Sequence, residues 1–387
     1  MAQPFKERID RGLIGAMGEH LQRSWAAFPK RRFCKQARDG LELLELKARV
    51  AHVADALAAA LPGSFDDAAA VLEGALAPAR DDDDLSQLVS SRAGLAGWAV
   101  WPMTDFVARY WIDHPARALA ALHALTQRHT AEYAVRPFLI EHRERTMATL
   151  TRWLDDPSPH VRRLVSEGTR PRLPWGVQLK HLVDDPRPCL PLLARLQDDP
   201  SVYVRRSVAN HLNDISKDHP DVVVRWLREH LRSGPATRGA VLRHAARTLI
   251  KQGDKRALRA FGLGRPLRGR AAFEIRPERA RVGDDLQLEV ALTSSAQQAQ
   301  RMVVDYVVHH VKQDGSTRAK TWKGWKLRLA AGELRVLRKS HSLRAVTTRR
   351  DYPGVHMVDL VVNGDVVATS RFELRGTLPP SATIGRA

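Results

Sequence analysis

Two stretches of this 387-residue chain set carboxylates beside arginines at helical spacing. Arg163 and Glu167 are four residues apart and so share a helix face. They are offset by two residues, about 200°, from the apolar Val161 and Val165. In the second stretch Arg206, Asn210 and Asp214 share a face, with Val204, Val208, Leu212 and Ile215 on the apolar side. The spacing leaves two readings open. One is a set of intrahelical ion pairs, each worth a few tenths of a kcal/mol. The other is a pair of carboxylates, Glu167 and Asp214, set in a basic groove to stabilise a sugar cation or to orient water at an anomeric carbon. Glycosidic cleavage passes through an oxocarbenium-like transition state, and opposed carboxylates are its usual stabilisers. Nearby arginines favour the ionised form of both acids, so neither is a committed general acid.

Other residues join this set. Trp175 ends the stiff loop Gly168–Pro174, either as a helix-start staple in the core or as an aromatic face for a deoxyribose or base. Glu132 follows Thr130, a good N-cap, and there favours a helix dipole. Arg163, Arg206, Asn210 and Trp175 are the expected substrate- and DNA-binding residues. Trp98/Trp101 and Tyr110/Trp111 read as core packing rather than base stacking. The 16 histidines and two cysteines, Cys34 and Cys189, show no metal-ligand spacing or disulfide framework. Neither GxxxxGK[ST] nor GxGxxG occurs, and no lysine stands out as a Schiff-base nucleophile. No metal and no cofactor are expected.

The elements that must position these residues come from a 43-residue echo. Residues 155–167 read DDPSPHVRRLVSE and residues 198–210 read DDPSVYVRRSVAN. A period near 40 is the signature of two-helix HEAT-type repeats, which stack so that equivalent helix faces line one surface. The register superposes Arg163 on Arg206 and Glu167 on Asn210, and Val241–Leu249 continues the pattern weakly. Residues 1–264 read as helical almost throughout, for example Leu41–Leu61 and Ala118–Leu125. Breaks fall at Pro62-Gly63, the acidic run Asp81–Asp84, the three Asp-Asp-Pro turns at 155, 184 and 198, and Asp218–Pro220; Asp before a helix suits its positive end and can cap it.

From Ala271 to Glu373 the period changes to two, with seven expected strands near 271–277, 286–293, 301–312, 318–328, 334–343, 354–362 and 366–374. Asn363-Gly364 is a type I′ hairpin signal. The pattern fits an immunoglobulin-like sandwich without the buried cysteine pair. The fold class is therefore mainly α: a HEAT-like helical solenoid over 1–264, a C-terminal all-β immunoglobulin-like sandwich over 265–377 and a 378–387 tail.

Charge names the partner class. Lysine and arginine total 62 against 43 acids, a net +19. Residues 265–387 hold 22 of those cations against 12 acids. Such asymmetry points to a polyanion, unless the protein is merely basic and soluble. No apolar run approaches the ~20 residues of a membrane span, and a signal-peptide h-region is missing, so a cytoplasmic home, nucleoid-associated when bound to DNA, is expected.

The same segments carry a family resemblance. Ser166–Gly176 (SEGTRPRLPWG), Ala209–Pro220 (ANHLNDISKDHP), Gly40–Arg49 (GLELLELKAR), Trp101–Arg109 (WPMTDFVAR) and Thr130–Leu139 (TAEYAVRPFL) resemble the AlkC branch of the DNA alkylation repair proteins. The resemblance implies a monofunctional glycosylase that removes cationic bases from duplex DNA without flipping them, 3-methyladenine and in this branch 3-methylcytosine. It places Glu132, Glu167, Trp175 and Asp214 at active-site positions. Where the sister AlkD branch has a Trp four residues before its catalytic Asp, this chain has Arg163 before Glu167. The expected partner is duplex DNA with alkylated bases, bound by a monomer. The competing reading is a non-catalytic HEAT scaffold for DNA or an acidic protein.

Overall fold

The computed structural model of the chain describes residues 4–80, 87–345 and 352–375. The acidic run Asp81–Asp84, the expected sandwich end at 377 and the 378–387 tail lie outside the described residues. The helices are α1 (Arg11–Ser24), α2 (Lys30–Arg38), α3 (Leu46–Ala58), α4 (Phe65–Gly74), α5 (Val100–Tyr110), α6 (Pro115–Thr126), α7 (Val135–Glu141), α8 (Arg143–Arg152), α9 (Pro159–Gly168), α10 (Lys180–Asp184), α11 (Leu190–Leu196), α12 (Val202–Asp218), α13 (Pro220–His230), α14 (Ala236–Ala245), α15 (Arg247–Gln252) and α16 (Lys255–Ala260). The strands are β1 (Gly269–Arg276), β2 (Arg279–Arg281), β3 (Asp285–Ser294), β4 (Gln300–Val311), β5 (Thr317–Leu329), β6 (Leu334–Ser342), β7 (Gly354–Val362) and β8 (Asp365–Arg375).

The echo has a local physical cause. In each copy the second Asp accepts the N–H of the Ser two residues on, Asp156 from Ser158 and Asp199 from Ser201, both at 2.9 Å. These are Asx turns that aim the chain into a helix. The cap position is therefore serine, not aspartate as the sequence suggested. Ser201 accepts from the N–H groups of Tyr203 and Val204, and Pro159 opens α9 with the fixed φ a first helical residue needs. The first arginine of each Val-Arg-Arg folds back onto its own turn: Arg162 donates to the Asp156 and Pro157 carbonyls, Arg205 to those of Asp199 and Pro200. Arg162 also forks onto the Asp199 carboxylate at 2.7 and 3.0 Å, clipping one copy to the next. The weak third copy breaks within Val241–Leu249, where α14 ends at Ala245 and α15 begins at Arg247. The expected Leu41–Leu61 segment likewise splits into a 3₁₀ turn at Leu41–Leu43 and α3.

Compactness divides the chain differently from secondary structure. One unit is Met1–His219 with Gly234–Ala245; the other is Pro220–Ser233 with Ala246–Ala387. Helices α13, α15 and α16 thus fold with the strands, not with the helical array that the 264 boundary assigned them to. Within the second unit the sheets run β1-β3-β6 and β2-β8-β7-β4-β5. Their inner faces bury Leu286, Leu288, Tyr306, Val358 and Phe372 in one cluster, and Val290, Leu292, Val304 and Leu360 in another. The eighth strand, β2, is a three-residue parallel pairing with β8 too short for alternation to reveal. Asn363 and Gly364 turn between β7 and β8 at φ 50° and 90°. The Asn363 amide also donates to the Arg265 and Arg301 carbonyls, tying the turn to neighbouring chain.

Candidate active site

Six side chains form an unbroken file of alternating charge: Glu132, Arg163, Glu167, Arg170, Asp214 and Lys217. Arg163 meets Glu132 at 2.6 Å and Glu167 at 3.6 Å. Arg170 bridges Glu167 at 2.5 Å and Asp214 at 2.8 Å, and Lys217 closes on Asp214 at 2.9 Å. The three acids are 7%, 5% and 1% exposed. They arrive from three places. Glu132 sits in the turn before α7, Glu167 in the last turn of α9, and Asp214 in the body of α12. Thr130 is not a helix N-cap: its hydroxyl donates to Glu132 at 2.7 Å and accepts from Arg163 at 2.9 Å.

Glu167 lies opposite the α9 core face yet is buried, because α12 covers that side too. Ser207 of α12 donates to Glu167 Oε2 at 2.6 Å, and its oxygen lies 3.0 Å from the Ser166 hydroxyl, which can donate to it. Glu167 Oε1 faces both arginines, whereas Oε2 is held by a neutral hydroxyl. Burial pushes the Glu167 pKa up, but Arg163, Arg170 and the Ser207 hydroxyl outweigh it and hold the group below its ordinary 4.5. It is a fixed negative charge at neutral pH. His211, on the same stripe of α12 as Ser207 and Asp214, is lowered to about 4 by burial and hydrogen-bonds the Ser166 carbonyl at 2.9 Å. It is neutral and adds no counter-charge. Tyr203 lies under Arg163, 4.8 Å from guanidinium to ring centroid, and burial raises its phenol pKa beyond the working range, as it does for Tyr133.

The loop after α9 is stapled from beneath by Arg136 of α7, a fully buried side chain. It donates to the carbonyls of Gly168 (2.9 Å), Arg170 (2.8 Å) and Val177 (2.6 Å). Burial and the nearby Arg170 lower its pKa to about 10. A side chain at 168 would place its Cβ 2.5 Å from Val135, so glycine lets α9 close against α7. Trp175 then stands 59% exposed at φ 65°, with its carbonyl bonded by Lys47 of α3. It is not a core staple.

The "DNA alkylation repair enzyme" family matches residues 126–249, a span holding all six charged residues, and the YhaZ C-terminal Ig-like domain family matches 270–376. The Bacillus subtilis (strain 168) uncharacterized protein YhaZ is 34% identical over 376 residues, covering 96% of this chain and 99% of that one. The solved Pseudomonas fluorescens alkylpurine DNA glycosylase AlkC, bound to DNA containing an abasic site analog, is 35% identical with a TM-score of 0.83, over 97% of this chain and 100% of that one. The chain belongs to the AlkC family of DNA alkylation repair proteins.

Not every expected residue of this AlkC-family chain joins the file. Arg206 is exposed, and Asn210 bonds His244 of α14 at 3.0 Å. The reason is helix phase: Asp214 belongs to the stripe Ser207–His211–Asp214 facing α9, while 206 and 210 lie further round. Tyr110 is exposed and donates to Asp55 at 2.6 Å, whereas Trp101 is buried and stacks on Tyr133 with centroids 5.4 Å apart. Sequence reading missed Arg170, Ser207, Tyr203, Tyr133 and Arg136. Arg170 had a usable signal, three residues after Glu167, but only the folded loop aims it at Asp214. Among the described residues no cluster of three or more His, Cys, Asp or Glu is arranged to hold a metal ion, and no helix is long and apolar enough to cross a membrane.

Proposed function

We propose that this AlkC-family chain is a monofunctional DNA glycosylase acting on cationic alkylated bases, 3-methyladenine and 3-methylcytosine, in duplex DNA of the cytoplasmic nucleoid. The observation that carries the reading is the Glu167 carboxylate, buried, kept ionised, and with its Oε2 held by the Ser207 hydroxyl. An N3-methylated base is already positive. When its N-glycosidic bond breaks, the bonding electrons leave with a neutral base and C1′ becomes the oxocarbenium. Water then adds at C1′ and sheds a proton to the surrounding solvent. The chemistry requires negative charge near the sugar and no protonation of the base, so the lesion need not be extruded into a general-acid pocket. Glu167 and Asp214 supply that charge, Glu132 holds Arg163 in place, and Trp175 offers its exposed ring to the sugar or base. A carboxylate held below its usual pKa is a weak base, so it orients water instead of deprotonating it. Lys217, the lysine of the file, is paired with Asp214, which suits hydrolysis over amine attack. The P. fluorescens AlkC likeness supports the same activity and DNA as the substrate.

The test is single-turnover incubation with N-methylated duplex DNA and chromatography of released bases. Release of 3-methyladenine with uracil left in place is expected. No release of any methylated base would leave a DNA-binding scaffold, and strong uracil release would sink the leaving-group argument.

A further inference from the structure

Away from the charged file, α1 and α2 enclose an open groove of about 590 Å³. Five cations line it: Arg11, Lys30, Arg31, Lys35 and Arg38. Glu19 and Asp39 are the acids present. Arg11 is answered by Glu42 at 2.5 Å and Lys30 by Glu19 at 3.5 Å. Arg38 donates to the Arg11 carbonyl at 2.9 Å, and its Nε is buried with no acceptor among the described residues. Among the described residues no carboxylate pairs with Arg31 or Lys35, both exposed on the groove wall.

Helix stability accounts for only part of these charges: Lys35 and Arg38, in the last turn of α2, suit its dipole. Lys30, Arg31 and Arg32 fill the first turn of α2, which contains no acid, and cations there oppose the helix dipole. At Lys30 and Arg31 the groove therefore carries positive charge at an electrostatic cost to its own helix. That is the arrangement expected where an anion completes the site.

The groove is also connected to the Trp175 loop. Glu42, which holds Arg11, and Lys47, which bonds the Trp175 carbonyl, are five residues apart on one chain segment. Their Cα atoms lie at most about 18 Å apart, since extended chain spans ~3.3–3.6 Å per residue. Duplex DNA carries a charge every ~1.7 Å of its axis, so a duplex lying against Trp175 presents a row of phosphates over a span the length of the Glu42–Lys47 segment.

We propose that the α1–α2 groove is a phosphate-binding site for the backbone of the same duplex, flanking the lesion, with Arg31, Lys35 and Arg38 as its contacts. The proposal rests on the glycosylase reading only for the choice of duplex DNA as occupant. The groove grips two or more backbone phosphates and contributes affinity irrespective of base sequence or damage.

The experiment uses the full chain, wild type against Arg31→Ala/Lys35→Ala, with undamaged 25-mer duplex in fluorescence anisotropy over a salt series. Each lost phosphate contact lowers the slope of log K against log salt by ~0.9, so a drop of about 1.8 is expected, with weaker binding at every salt concentration. Arg31→Lys/Lys35→Arg should restore the wild-type slope. An unchanged slope in the double alanine variant overturns the proposal. So does lost binding of a polyglutamate peptide with duplex binding intact, which would make the groove an acidic-protein site. Because the duplex is undamaged, a lower slope stands even if the wild type releases no base, so failure of the groove and failure of the glycosylase reading are told apart.

Discussion

Glu167→Gln isolates the charge of the central carboxylate while keeping its shape. The amide still accepts from Ser207, so the packing of α9 on α12 is retained. What disappears is one negative charge beside the developing sugar cation. At a separation of about 5 Å and an effective dielectric of about 20, that charge is worth about 3 kcal/mol, or ~10²-fold in rate. Removing one preorganised stabiliser commonly costs ~10²–10³, in the same range. The folded state should lose less. Arg163 keeps Glu132 and Arg170 keeps Asp214, so neither guanidinium is orphaned, and a cost of about 1–3 kcal/mol is expected. Affinity for undamaged duplex should hold or rise, since a negative charge is removed from the protein. The assay is single-turnover release of 3-methyladenine at 25 °C, beside calorimetric melting and anisotropy binding. A rate within threefold of wild type would refute the role given to Glu167. A rate loss matched by loss of folded protein would show packing instead of chemistry.

The pH profile of the wild type follows from the same group: its pKa lies below 4.5, so the needed charge is present above that value and lost as pH falls through it. Base release, corrected for uncatalysed loss, should be flat from pH 8 to 5; a decline already beginning above pH 6 would contradict this. Trp175→Gly should relieve a left-handed backbone by about 1 kcal/mol, raising the melting temperature by a few degrees while base release falls at least tenfold. A slower enzyme with a lower melting temperature would mean that the ring packs rather than contacts DNA. Arg136→Leu strips donors from three loop carbonyls and should cost about 3–5 kcal/mol, measured by urea denaturation. A loss under 1 kcal/mol would deny it the stapling role.

What was legible in the sequence was chiefly local. The echoed DDPS…VRR is turn chemistry, and it announced its period because an Asx turn and a back-folding arginine need fixed spacing. The hairpin at Asn363 was legible for the same reason: positive φ selects few residues. Repeat register set Glu167 against Asn210 and brought in Asp214 as a residue of the same face, but the face assigned to Asp214 was one step out. A 100° helical step cannot tell a stripe shared with Arg206 from one shared with Ser207 until a neighbouring helix chooses between them. The Arg170 bridge to Asp214 and the Arg136 staple were illegible because those partners lie 44 and more than 30 residues away, across a loop whose path no periodicity encodes. The membership of α13, α15 and α16 was hidden likewise: an apolar stripe says that a helix packs, not upon what.

The alternating file of charge also has a hereditary consequence. Each interior member answers to two neighbours, so a change at Glu132 alters the surroundings of Arg163 and, through it, of Glu167. Lineages descending from such an ancestor cannot drift freely at one position. A neutral residue at one link leaves a buried guanidinium under-matched, and descendants tolerate it only after a partner has changed. Substitutions here should therefore appear in pairs along the order 132, 163, 167, 170, 214, 217. Grafting a single residue from a distant relative should harm the protein more than exchanging the whole file at once.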